Sequence, residues 1–138
     1  MIVKRLLQLN LLVSAIIAMA FILAPAPTLT LYGILGEKSL YVIAQYFGTT
    51  HVAFFVLLWL ALRANDARFL RVIVVSFFAG DLAGSVVLLV AQLRGLMNTT
   101  GWALVGLTLL FAAGYGYGAL KKLPASWRVP ASLTCETE

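Results

Sequence analysis

Two side chains in this sequence combine titratable chemistry with an apolar setting, Asp81 and the single histidine, His51. Asp81 lies at the centre of FLRVIVVSFFAGDLAGSVVLLVAQL (Phe69 to Leu93), and His51 follows Gly48-Thr49-Thr50 in the middle of the stretch 40–62. Each sits about twelve residues into its stretch, or about 18 Å along a helix rising 1.5 Å per residue. An ionisable side chain at the centre of a bilayer costs about 2.5–3.5 kcal/mol on insertion scales, so it must face protein or water and have a partner. A His51–Asp81 pair would meet that demand by offsetting the burial of two titratable groups. The chemistry open to such a pair is a proton or ion relay, or contact with a ligand. The structural alternatives are a protonated Asp81 bonded across a helix interface and a His51 bonded to a backbone carbonyl or hydroxyl. A haem reading would make His51 an axial ligand, but one histidine per chain means that bis-histidine ligation needs two chains.

The elements that must hold these residues are membrane helices. The chain of 138 residues is 62% hydrophobic and 11% charged with a mean hydropathy of +1.00, and the charges are missing from four long windows. A soluble domain carries roughly 25% charged residues. The net charge of +5 therefore fits basic loop ends beside anionic lipid, and we expect no nucleic-acid partner. Cys135 is the single cysteine, which excludes an internal disulfide and a cysteine metal site.

Taken in order, a basic start (Met1 to Arg5) leads into a first span at 6–24, long enough to cross most of a ~30 Å hydrocarbon core. A secretory signal peptide is the rival reading, with Ala24-Pro25-Ala26 as its cleavage site, but the apolar run exceeds the usual 7–15 residues. Pro25 and Pro27 stop the helix, because each lacks a backbone N–H. A loop over 26–38 follows, with Ser39 placed to cap the second span at 40–62. The turn Arg63–Arg68 is short enough to imply an antiparallel hairpin with the third span at 69–93. Another short turn leads to the fourth span at 102–120. Residues 1–122 thus form a single four-span domain, an all-α membrane four-helix bundle, and 123–138 a disordered cytoplasmic tail.

With the N-terminus inside, eight basic residues fall on the cytoplasmic side (Lys4, Arg5, Arg63, Arg68, Arg71, Lys121, Lys122, Arg128) and two outside (Lys38, Arg94). That bias predicts cytoplasmic termini. Leu31-Tyr32-Gly33-Ile34 and Leu93-Arg94-Gly95-Leu96 occupy equivalent places after the first and third spans, which suggests two related hairpins.

Other polar groups fall at related depths. Asn10 and Ser14 are four apart on the first span, and Thr108 is in the middle of the fourth, so Ser14, His51, Asp81 and Thr108 could share one polar layer. The simpler reading of each hydroxyl is an ordinary helix–helix contact. On the third span Gly84, Ser85 and Gln92 lie about 60°, 40° and 20° from Asp81 at 100° per residue. Gly80 and Gly84 form a small-xxx-small pair that predicts close helix approach there. In Gly114-Tyr115-Gly116-Tyr117-Gly118 no strand precedes and no Lys-Ser/Thr follows, so it is no phosphate loop. We read Gly114 and Gly118 as packing glycines and the tyrosines as interfacial. The catalytic motifs of soluble hydrolases, zinc proteases and thiol oxidoreductases are absent.

Through Ala24-Pro25-Ala26, Leu31-Tyr32-Gly33, Leu58-Trp59-Leu60-Ala61 and Met97-Asn98-Thr99-Thr100-Gly101-Trp102, the chain resembles a loose group of short bacterial four-span inner-membrane proteins. The resemblance implies a bundle in the bacterial inner membrane and brings no activity, cofactor or catalytic residue with it. The expectation is a structural or accessory membrane protein without enzymatic activity, metal or cofactor, in contact with lipid and with a second copy or a larger membrane complex. Its competitors are a small oligomeric transporter or proton relay using Asp81 and His51, and a haem- or quinone-binding redox subunit.

Overall fold

A computed structural model of the chain describes residues 2–64 and 66–120. The tail at 123–138, expected to be disordered, and the lysines at 121 and 122 lie outside the described residues. Those that are described form five helices: α1 (Ile2–Leu23), α2 (Pro25–Leu31), α3 (Lys38–Ala64), α4 (Ala67–Leu93) and α5 (Gly101–Leu120). Four of them, all but α2, are long and apolar enough to cross a membrane. The protein is an all-helical bundle.

The helix ends follow from local chemistry. Ala24 alone interrupts the helical run, and Pro25 then opens α2, where its missing N–H costs nothing and its fixed φ suits the first helical position. The prolines thus end α1 as expected, but the chain resumes as a helix at once, and much of the expected loop is helical. Thr28 Oγ1 holds the break by donating to Ala20 O at 3.0 Å and Ala24 O at 2.7 Å. The second span begins at Lys38, so Ser39 lies inside its first turn and does not precede it as a cap. Asp66 caps α4, its carboxylate accepting from Arg68 N at 2.8 Å. Arg63 stacks its guanidinium 4.0 Å from the Trp59 ring centroid at the end of α3, a pairing suited to a membrane interface.

α2 and α4 end in the same way. Gly33 (φ 77°) and Gly95 (φ 70°) take the left-handed position. Gly33 N donates to Thr30 O and Ile34 N to Leu29 O, while Gly95 N donates to Gln92 O and Leu96 N to Ala91 O. These are matching Schellman caps, in which glycine avoids the steric penalty of positive φ. The two similar tetrapeptides therefore share a backbone conformation.

Packing divides the bundle into two hairpins. α1 packs extensively on α3 and α4 on α5, while α1 meets α5 and α3 meets α4 far more sparsely. The tight turn between α3 and α4 does not lead to a closely packed pair. The apolar core lies at the end of the bundle carrying that turn: Leu7, Leu58, Ala61, Leu70, Ile73, Val74, Phe77, Phe111 and Tyr115.

Candidate functional site

His51 and Asp81 face different neighbours. The His51 ring bonds through Nδ1 to the Phe47 carbonyl of its own helix at 3.1 Å. It stands between two rings, with centroids 4.5 Å from Phe47 and 5.5 Å from Phe54. The aromatic row continues across the bundle from Phe54 to Phe77 at 5.3 Å and from Phe77 to Tyr115 at 5.7 Å. Asp81 is half-buried, with Oδ2 turned away from solvent and lacking a hydrogen-bond partner. The expected His51–Asp81 pair is therefore not joined by a hydrogen bond. The physical reason is local. His51 takes the carbonyl one turn back on its own helix, and α3 and α4 touch only sparsely along their length.

The expected polar layer is likewise not a connected network. Thr108 Oγ1 donates to Leu104 O and Val105 O of its own helix, at 3.2 and 3.0 Å. Ser85 Oγ donates to Asp81 O at 2.6 Å, also within its helix. Ser14 is buried and donates to Asn10 Oδ1 at 3.3 Å. From there the network crosses the bundle, because Asn10 Nδ2 donates to the Tyr115 hydroxyl at 2.8 Å. Tyr115 is fully buried, which corrects its reading as an interfacial tyrosine. Its Asn10 partner had a signal in sequence. The two lie a similar distance from the same end of their helices once the lean of a long side chain toward its helix N-terminus is added.

The glycines separate into two groups. A Cβ built at Gly114 would meet Leu6 Cδ2 at 2.7 Å, and one at Gly118 would meet Val3 Cγ2 at 3.0 Å. These glycines admit α1 against α5. Gly48 does the same between α3 and α1, where a Cβ would meet Ile22 Cγ1 at 2.8 Å, a close approach not anticipated from the polar look of its neighbours. Gly80 and Gly84 have nothing within 4 Å of a built Cβ. The close approach expected at this pair is not made by any helix among the described residues. Ser85 and Gln92, expected to face inward, are buried, and Val72, Val75 and Leu82, expected to face outward, are exposed, but Leu89, also expected to face outward, is half-buried.

At the opposite end, Asn98 joins the two hairpins. Its backbone N–H donates to Tyr32 O at 2.9 Å, and its Nδ2 donates to Leu31 O at 3.0 Å. Its Oδ1 accepts from Thr100 N at 3.0 Å, and its carbonyl accepts from Gln92 Nε2 at 3.1 Å. Gly33 is required beside it, since a Cβ there would lie 2.9 Å from Asn98 Cβ. Two of the segments singled out in the sequence, around Tyr32-Gly33 and Asn98, thus meet in space. Among the described residues no group of three or more His, Cys, Asp or Glu side chains is placed to hold a metal ion. No protein-family model matches the chain, and neither the curated proteins nor the solved structures contain a match to it.

Proposed function

We propose that this chain is an accessory protein of the bacterial inner membrane, with both termini in the cytoplasm, and that it acts by binding another membrane helix along α4. The observation that carries the reading is the open flank at Gly80 and Gly84. In lipid no hydrophobic effect drives helices together, so association relies on close backbone approach at small residues and on polar contacts. Elsewhere the chain uses that device internally, with Gly48, Gly114 and Gly118 each filled by a neighbouring side chain. Gly80 and Gly84 repeat it on a face that no neighbour among the described residues fills, beside the half-buried Asp81. The eight-to-two distribution of basic residues supports the orientation.

The test is purification from native membrane in mild detergent. Wild-type chain should migrate with a second copy or another membrane polypeptide. Gly84→Leu should abolish that association while leaving the thermal stability of the isolated chain unchanged. Wild-type protein that runs alone as a monomer under these conditions would refute the proposal.

A further inference from the structure

The two ends of the bundle differ in charge. At the end bearing the α3–α4 turn, Arg63, Arg68 and Arg71 are exposed, as are Lys4 and Arg5, next in sequence to Leu6 and Leu7 of the apolar cluster there. Asp66 is the one carboxylate at that end among the described residues, and it is turned to the α4 backbone, accepting from Arg68 N at 2.8 Å. At the far end Lys38 and Arg94 stand with Glu37. The arginines of the turn are also placed for a lipid interface. The Arg63 guanidinium lies 4.0 Å from the Trp59 ring centroid, which holds a cation at the headgroup depth favoured by interfacial tryptophan. Arg68 and Arg71, three apart on α4, are neighbours on one flank of that helix. Val72 and Val75, the next residues along this flank, are exposed. On α3, Leu60 and Val56, one and two turns before Arg63, are exposed as well. Each set of arginines thus stands at the head of an open apolar stripe, and only residues 64–67 separate the two sets.

We propose that Arg63, Arg68 and Arg71 form a headgroup site for an anionic phospholipid, whose phosphate the guanidiniums hold and whose acyl chains lie along the exposed stripes of α3 and α4. The chemistry selects the guest. A guanidinium fork matches phosphate oxygens in pairs, and it is more weakly hydrated than an ammonium. A zwitterionic headgroup carries its own cation beside the phosphate, so cations without free carboxylates around them favour a lipid of net negative charge. A soluble acidic partner would match the charge but would leave Val72, Val75, Val56 and Leu60 without apolar cover. The site requires only that the spans cross a bilayer, and it serves in either orientation of the chain. It does not depend on helix docking at Gly84, so either can fail without the other.

Quenching of tryptophan fluorescence by lipids with brominated acyl chains tests this in the full chain, reconstituted into phosphatidylcholine vesicles. Trp102→Phe with Trp127→Phe leaves Trp59 as the reporter beside Arg63, and Trp59→Phe with Trp127→Phe leaves Trp102 as the reporter at the far end. Brominated phosphatidylglycerol and brominated phosphatidylcholine are compared at equal mole fraction. Trp59 should prefer phosphatidylglycerol by about fivefold or more, the ratio equivalent to the ~1 kcal/mol of one basic residue near an anionic surface. Trp102 should show a ratio near one. Arg63→Gln, Arg68→Gln and Arg71→Gln together should bring the Trp59 ratio to near one, whereas Lys38→Gln with Arg94→Gln should leave it unchanged. The unsubstituted arginines offer a second test. Raising the salt from about 0.1 M to about 1 M shortens the screening length from about 10 Å to about 3 Å and should collapse the Trp59 preference. Equal quenching of Trp59 by the two lipids overturns the proposal. So does a preference shared by Trp102, one that survives high salt, or one that survives the triple substitution.

Discussion

At the end of the bundle bearing the α3–α4 turn, the two hairpins meet through side chains. Leu6 packs on Gly114, Val3 on Gly118, and Asn10 bonds Tyr115, beside the apolar cluster around Phe77 and Phe111. At the other end they meet through backbone carbonyls, Leu31 O and Tyr32 O, both taken by Asn98. The first junction depends on shape and spans several helical turns. The second depends on one residue and on two glycine-capped helix ends that bring the loops together. The difference shows how a short chain can hold four spans in lipid. Where helices approach, small residues and dispersion hold them. Where they end, carbonyls left without helical partners become acceptors for a neighbouring loop.

The contrast can be broken most forcefully at the packed end. Gly114→Leu forces a large side chain into Leu6, and overpacking of this kind costs about 1–3 kcal/mol. The same change at Gly84 meets open space and should cost the isolated chain little. Thermal unfolding in detergent should rank Gly114→Leu well below Gly84→Leu, and the reverse ranking would mean that the two glycine faces are misassigned.

A smaller effect is expected at the loop end. Asn98→Ala removes the Nδ2 bond to Leu31 O and the Oδ1 acceptor of Thr100 N but leaves the backbone bond to Tyr32 O in place; the exposed Thr100 N–H can turn to water, so the loss should be near the 0.5–1.5 kcal/mol of one hydrogen bond, or about 1 kcal/mol. It should appear as faster amide exchange at Ile34, Gly95 and Leu96, with α1 and α5 near Leu6 and Gly114 unaffected. Uniform acceleration along all helices would show that the two ends are not independent.

The smallest effect concerns the histidine. His51 bonds its own helix, so His51→Leu and Asp81→Leu should be additive within about 0.3–0.5 kcal/mol in a double-mutant cycle of unfolding free energies. A coupling well above that range would restore the direct pair expected from sequence.

The four spans were legible because a run of some twenty apolar residues in water has few other fates, and Gly, Pro and charges mark where it stops. Helices α3 and α4 extend one or two residues beyond the apolar windows, since backbone hydrogen bonding does not end where hydrocarbon does. Which helix faces which was far less legible. In soluble proteins apolar periodicity marks the buried stripe, but in lipid the outer face is apolar too, so the 100° arithmetic around Asp81 could orient Ser85 and Gln92 inward without saying what lies opposite them. Depth matched His51 to Asp81, yet depth fixes only one coordinate, and the His51 ring lies between Phe47 and Phe54 of its own helix. Asn98 could not be found from periodicity at all, because its partner carbonyl lies 67 residues away at the C-terminal end of α2.

The claim that α4 presents a docking face is tested most directly by a photo-cross-linking amino acid placed at position 84, with position 114 as its control, irradiated in native membranes. The account predicts a higher-mass polypeptide adduct from position 84 and only intramolecular products, to α1, from position 114. Lipid adducts alone from position 84 would contradict it and leave the Gly80–Gly84 flank as an ordinary lipid-facing surface.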